Sequence, residues 1–290
     1  MGAHRYTLLD VFTATPLEGN ALAVVHDADA LDEPAMQAFA RETRLSETTF
    51  VQRAHVAGAD YRNRIWTVER ELPFAGHPSL GTAVAVARAE HGSEHAAAHE
   101  VRYVQQTGAG LQPIDVRLLD AYAARASMLQ EPAAHGAELP RSEVVRVLDL
   151  TPEHADRRLP PQLVGTGLAQ LILPLRDLDA LARARPDWPA LEGLLRIHGA
   201  TVLYAAVCDP PNGRARTRAF VSGAVGEDPA TGSAAGPLCA YLAARTGTDA
   251  LTIEQGIEMG RPSRIEAAME GERPRVGGDV VVVADGTVHL

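Results

Sequence analysis

One order of events occurs twice along this chain. A strand-like stretch, Arg62 to Val68, runs into a Gly/Pro loop, Pro73 to His77. A helix follows from Pro78 to about Glu90, and Gly92 ends it. In the second half Arg216 to Val221 leads into the loop Glu227 to Gly232, then into a helix from Ser233 to Arg245 that Gly247 ends. Both helices are alanine-rich and open among small residues, Gly76 and Gly81 in one, Gly232 and Gly236 in the other. Such an order is what two similar halves would produce. Two helix N-termini pointing at one cleft, with free N–H groups and the positive dipole end, would hold a small anion such as a carboxylate. Glycine there lets a ligand approach the backbone. The alternative is two ordinary helix starts with glycine turns.

The other elements fit around this repeat. Tyr6 to Phe12 and Leu22 to Val25 read as strands about a PLEGN turn. Glu33 to Leu45 has helical spacing, with Pro34 in its first turn. Thr48 to Val51 reads as a strand and Glu143 to Leu150 as a short helix. Gln170 to Leu173, Val202 to Val207, Ser263 to Ala267 and Val280 to Val283 read as further strands. No low-complexity linker parts the halves, and the boundary falls near Ala121 to Arg125, giving domains over 1–122 and 123–278.

Composition removes several functions. All 27 basic residues are arginine. Without lysine there is no Schiff-base chemistry and no phosphate loop of the GK[ST] type. A net charge of -10 argues against a nucleic-acid partner. The apolar runs are far shorter than the about 20 residues of a membrane helix, and no export signal is seen at MGAHRYTLLDVF. Cys208 and Cys239, without C-x-x-C spacing, suggest a reducing compartment, so the expected location is cytoplasmic.

A few residues could carry chemistry. Glu47 stands between Leu45-Ser46 and the apolar strand Thr48 to Val51. Partial burial there would bring a carboxylate into the range of a proton shuttle; the alternative is a surface glutamate at a strand start. His77, just before a helix, could donate to a substrate or act as acid and base, or merely replace an N-cap. Asp228, in the matching loop, could pair with a substrate amine or protonate a leaving atom, or simply form the turn before Pro229. Ser233 could cap its helix and bind a carboxylate as well. Asp10, near a strand end, reads as structural. His91, His95 and His99 recur every four residues, the spacing of metal ligands on one helix face, but Gly92 and Ser93 interrupt that helix, and no metal is expected.

Five ordered segments resemble the phenazine-biosynthesis PhzF-like isomerase family. They are YTLLDVFTATPLEGNALAVV at 6–25, LSETTFV at 45–51, ELPFAGHPSLGTA at 71–83, GEDPATGSAAGPL at 226–238 and QGIEMGRPS at 255–263. The resemblance spans nearly the whole chain, while about 120–215 carries little diagnostic signal. It implies an α+β, diaminopimelate-epimerase-like fold with two pseudo-symmetric domains, each a curved, barrel-like sheet around a central helix. The C-terminal strand, about 279–290, would return to the first domain. It implies a homodimer without cofactor or metal. The family's catalytic glutamate, histidine and aspartate fall on Glu47, His77 and Asp228. Ser46 stands in the same SET motif, and Asn20 would line the cleft. The backbone of Gly76, His77, Gly232 and Ser233 would hold the carboxylate of a small substrate. Related epimerases place a cysteine at each central-helix start, and neither Cys208 nor Cys239 lies there. The activity implied is isomerisation of trans-2,3-dihydro-3-hydroxyanthranilate. Alternatives are isomerisation or epimerisation of another small amino or hydroxy acid, or a binding role without turnover.

Overall fold

A computed structural model describes residues 2–92, 99–223 and 225–290. In chain order the elements are β1 (Ala3–Val11), β2 (Asn20–Val25), α1 (Glu33–Thr43), β3 (Glu47–Arg53), β4 (Tyr61–Trp66), β5 (Glu71–Leu72), α2 (Gly76–His91), β6 (His99–Thr107), β7 (Gly110–Leu118) and β8 (Ala123–Leu129). They continue with β9 (Ala134–Glu138), α3 (Arg141–Arg146), β10 (Gln162–Gly165), β11 (Ala169–Pro174), α4 (Leu178–Arg183), α5 (Trp188–His198), β12 (Val202–Asp209) and β13 (Arg214–Val221). The last are β14 (Gly226–Asp228), α6 (Gly232–Thr246), β15 (Ala250–Gln255), β16 (Ser263–Glu270) and β17 (Arg273–His289). The chain forms two compact units, Met1–Met128 with Gly277–Leu290, and Leu129–Val276. Among the described residues no helix is long and apolar enough to cross a membrane.

In the first unit the strands pair in a ring, β17–β1–β2–β3–β4–β6–β7–β8 and back to β17. Closure leaves no free edge among them. The helix α2 runs through the middle and packs on β1, β2, β3, β4, β6 and β7. It is buried from Gly76 to Ala87. That explains its composition: a helix covered on all sides needs no polar face, and small residues suit the confined interior. Outside the ring, α1 lays Met36 and Ala40 on Phe50 and Trp66.

In the second unit β9–β10–β11–β12–β13–β15–β16 form a continuous run. The helix α6 packs on β10, β11, β15 and β16. The outer helices α4 and α5 bury Leu181, Leu191, Leu194 and Leu195 against Leu171, Leu173, Leu203 and Phe220.

Strand register makes the repeat residue-specific. Thr48 pairs with Trp66 and Trp66 with Glu71; Leu203 pairs with Phe220 and Phe220 with Glu227. Trp66 therefore corresponds to Phe220, and Glu71 to Glu227. Counting on, Leu72 matches Asp228, Pro73 matches Pro229, Ala75 matches Thr231, Gly76 matches Gly232 and His77 matches Ser233.

Some expectations from sequence shift. The first helix ends at Thr43 rather than Leu45, because Arg44 takes a left-handed conformation (φ 55°) as its C-cap. The helix expected over Glu143 to Leu150 spans Arg141–Arg146, entered from Pro140. Gly92 and Gly247 do cap α2 and α6, at φ 69° and 77°. The division between units falls a few residues beyond the Ala121 to Arg125 stretch.

Candidate active site

In the first unit three element starts converge. β2 and β3 run parallel, with Leu22 paired to Glu47, so both begin at the same end of the sheet. Asn20 opens β2, Glu47 opens β3, and His77 is the second residue of α2. Each start has a local cause. The PLEGN turn delivers Asn20 through Gly19 (φ 63°), where any Cβ would collide with the carbonyl oxygen of Val11. Asp10 Oδ2 accepts from the Leu17 amide at 2.6 Å and so pins the turn, the structural role expected of it. Arg44 at the α1 cap turns the chain sharply towards Glu47. Beneath Glu47, Thr48 shares a hydrogen bond with Thr43 and Thr49 with Thr82, both at 2.8 Å.

The Glu47 carboxylate lies 3.5 Å from His77 Nε2, with side-chain exposures of 12% and 7%. Distance alone would make this an ion pair. Burial says otherwise: it pushes the His77 imidazole down to about 3, so the ring is neutral at physiological pH. The Asn20 amide donates to His77 Nδ1 at 3.2 Å, and Ser46 Oγ donates to Asn20 Oδ1 at 3.3 Å. With Nδ1 accepting, the ring's one proton sits on Nε2, facing Glu47. Asn20 and Ser46 thus orient the histidine.

In the second unit Asp228 ends β14 and is buried. Thr231 Oγ1 donates to its Oδ2 at 2.5 Å. Ser233 is the second residue of α6; the cap position belongs to Thr231, so Ser233 is not the N-cap its sequence position suggested. Likewise Ala75, not His77, occupies the cap position of α2. The structure therefore gathers Asn20, Ser46, Glu47, Gly76 and His77 in one unit, and Asp228, Gly232 and Ser233 in the other.

Two positions were not singled out from sequence. Arg64 donates from Nε and Nη2 to both oxygens of Glu71, at 2.7 and 2.6 Å. Arg218 does the same to Glu227, at 2.7 and 2.8 Å. Both guanidinium groups are buried and lie 5.4 and 5.0 Å from the rings of Trp66 and Phe220. These pairs clamp the start of each loop leading to a central helix. The signal was present as Arg-x-aromatic followed by Glu-x-Pro in both halves.

The thiols sit elsewhere. Cys208 is in β12 and Cys239 inside α6, and burial pushes each up to about 12, so both are protonated and poor nucleophiles. The rings of His91 and His99 lie 4.4 Å apart; His95 falls outside the described residues. Among the described residues no three His, Cys, Asp or Glu side chains are grouped to hold a metal.

The sequence profile described as "Phenazine biosynthesis-like protein" matches residues 9–286. The trans-2,3-dihydro-3-hydroxyanthranilate isomerase of Pseudomonas fluorescens is 36% identical, over 99% of this chain and 100% of its own. The chain belongs to the phenazine biosynthesis-like, or PhzF, family. A solved structure from Pseudomonas aeruginosa, described as a predicted epimerase, superposes with a TM-score of 0.84 at 35% identity, covering 98% of this chain and 99% of that one. The fold extends further: a hydroxyproline epimerase from Agrobacterium vitis gives a TM-score of 0.70 at 14% identity, over 99% and 91% of the two chains. The PhzF chain thus has the diaminopimelate-epimerase-like fold, with the pseudo-symmetric halves that the repeat pointed to. The family is one of isomerases and epimerases.

Proposed function

We propose that the protein is a trans-2,3-dihydro-3-hydroxyanthranilate isomerase in which Glu47 is both base and acid. The observation that carries this reading is the Glu47 carboxylate 3.5 Å from Nε2 of a buried, neutral His77. A carboxylate largely withdrawn from water, beside a donor that carries no charge, is suited to take up a proton and release it again. The 36% identity to the Pseudomonas fluorescens enzyme, over the full length of both, supports the choice of substrate.

In this reading Glu47 removes the proton from C3 of the ring. The C3–H electron pair forms the C3=C4 bond, the C4=C5 pair moves to C5=C6, and the C6=C1 pair takes the proton back from Glu47 at C1. One proton moves, the double bonds shift, and no electron is gained or lost. The product is an enol at C3 that tautomerises to an aminoketone. His77 and Asp228 orient the hydroxyl and amino groups. The amides of Gly76 and His77 at the start of α2 would hold the substrate carboxylate, so that it does not repel Glu47; Gly232 and Ser233 occupy the matching start of α6. Positioning and electrostatics then supply the rate, without metal or cofactor. The assembly in this proposal is a homodimer, which light scattering tests.

The test is proton exchange. In heavy water the wild type should convert the substrate, with deuterium at C1 to the extent that the proton held by Glu47 exchanges with solvent before its return, and Glu47→Gln should do neither. A wild type that does not convert this substrate sinks the choice of substrate. A Glu47→Gln variant that converts it as fast as wild type sinks the role of Glu47. A second reading keeps Glu47 and changes the substrate to another small amino or hydroxy acid; the low motif content of about 120–215 favours keeping it.

A further inference from the structure

The QGIEMGRPS segment has no part in the proton transfer above, yet its first residue touches the Asp228 loop at three points. Gln255 ends β15 and is fully buried. Its Nε2 donates to the Asp228 carbonyl oxygen at 2.7 Å and to Thr231 Oγ1 at 3.0 Å. Its Oε1 accepts from the Thr231 amide at 3.2 Å and from the Tyr204 hydroxyl at 2.9 Å. The backbone carbonyl can only accept and the backbone amide can only donate. These two groups therefore fix which end of the Gln255 amide is oxygen and which is nitrogen. The next residue, Gly256 (φ 77°), leaves no room for a side chain, since a Cβ would collide with the carbonyl oxygens of Arg261 and Pro229. Ser263 Oγ, closing the segment, donates to the Pro229 carbonyl at 2.9 Å.

This geometry has a direction. Thr231 Oγ1 accepts from Gln255, so its single hydrogen is left for Asp228 Oδ2 at 2.5 Å. Gln255 donates to Thr231, and Thr231 donates to Asp228. The first unit lacks this arrangement where it lacks the acid, since Leu72 stands in place of Asp228 and Ala75 in place of Thr231. The hydroxyl is also not needed for its helix, because it makes no cap bond to α6.

We propose that Gln255 is a positioning residue for the reaction: through Thr231 it orients the Asp228 carboxylate as a hydrogen-bond acceptor. The proposal rests on the reading that Asp228 acts on the substrate. Thr231→Val keeps the shape and removes the hydroxyl, and lowers kcat/KM by about tenfold to a hundredfold, the scale expected when a reacting geometry loosens. Thr231→Ser restores most of the activity. In an Asp228→Asn background Thr231→Val costs nothing further, because the group it positions is gone. Gln255→Glu, which replaces the Nε2 donor by oxygen, shows the same loss. Where that variant does not fold, the Thr231 pair decides.

Equal losses in both backgrounds would make Thr231 merely structural and overturn the proposal. If Asp228→Asn is deeply impaired while Thr231→Val matches wild type, the positioning role fails and the functional reading survives. If Asp228→Asn itself is unimpaired, the functional reading fails. A crystal structure of Thr231→Val tests the same point without substrate: the carboxylate should rotate away from its wild-type position, and an unmoved carboxylate overturns the proposal.

Discussion

The two halves are alike in what holds the loops and unlike in what the loops carry. In each, a buried arginine grips the glutamate of a Glu-x-Pro turn by two hydrogen bonds and lies near an aromatic ring. In each, a glycine follows and begins a buried helix. Beyond that scaffold they differ. The first half has Glu47 at a strand start and His77 at the helix; by register the second has Val202 and Ser233. The second has Asp228 and Thr231; the first has Leu72 and Ala75. The frame is shared and the ionisable groups are distributed, which is how one fold takes on different chemistries through its sites.

The largest effect should fall on the group that only the first half possesses. Glu47→Gln is expected to lower kcat by about 10²–10⁴-fold, the range for loss of a general acid–base group, while leaving the circular dichroism spectrum and unfolding midpoint near wild type. A loss confined to stability would place Glu47 with the scaffold and erase the contrast between halves.

The shared clamp predicts a different pattern, read in stability. Replacing Arg64 by Met strands Glu71 and releases the exposed Glu33, and replacing Arg218 by Met strands Glu227; breaking a fully buried pair costs about 3–5 kcal/mol, and the remaining exposure of both glutamates puts these losses below that range. The partners are not equally sheltered, and that ranks the two. Glu227 is 21% exposed and Glu71 34%, and Arg218 also donates to the carbonyls of Leu181 and Ala184. Arg218→Met should therefore lower the urea midpoint more than Arg64→Met. The reverse order would mean that the two loops are not held in the same way.

The scaffold was the more legible part of the sequence. Strand, loop and helix recurred with small residues at the same places, and α2 and α6 formed where alanine and glycine accumulate. Strands β6 to β8 were not read, for a reason visible in β6: its inward positions include Gln105 and Thr107, so apolar alternation is weak where the barrel interior is polar. The outer helices α4 and α5 lie in the stretch without motifs. Glu47, His77 and Asp228 stood out by residue type and place. Asn20 and Ser46 were named only through the family resemblance and without their bonding, and Gln255 was not named at all, because Asn20 to His77 and Gln255 to Asp228 are contacts between residues far apart in sequence, and spacing does not encode them.

Asn20 offers a smaller and more specific test within the first half. It donates to His77 Nδ1, so removing it frees the ring to change tautomer or turn. Asn20→Ala should lower kcat by about tenfold to a hundredfold, and Asn20→Asp should do no better, since a carboxylate accepts where the amide donates. Histidine ¹⁵N chemical shifts would report Nε2–H in the wild type and a mixed population in Asn20→Ala. Unchanged shifts would remove Asn20 from the orientation of His77.

The mildest effect separates the halves through pH. Burial pushes His77 down to about 3 and His26 down to about 4, and both residues belong to the first unit. The unfolded chain, with ordinary histidines near 6.5, binds these protons first. Stability is therefore full above about pH 6.5 and falls as the pH drops towards 4, by about 1.4 kcal/mol per pH unit for each group in that window. His77→Gln and His26→Gln should each flatten the slope by one such increment, read from urea melts at pH 6.5, 5.5 and 4.5. Because both groups lie in the first unit, hydrogen exchange on mild acidification should quicken there first, in α2 and the strands around it, while α6 and its strands stay protected. Exchange that quickens in both units together would show that the halves, distinct in chemistry, unfold as one.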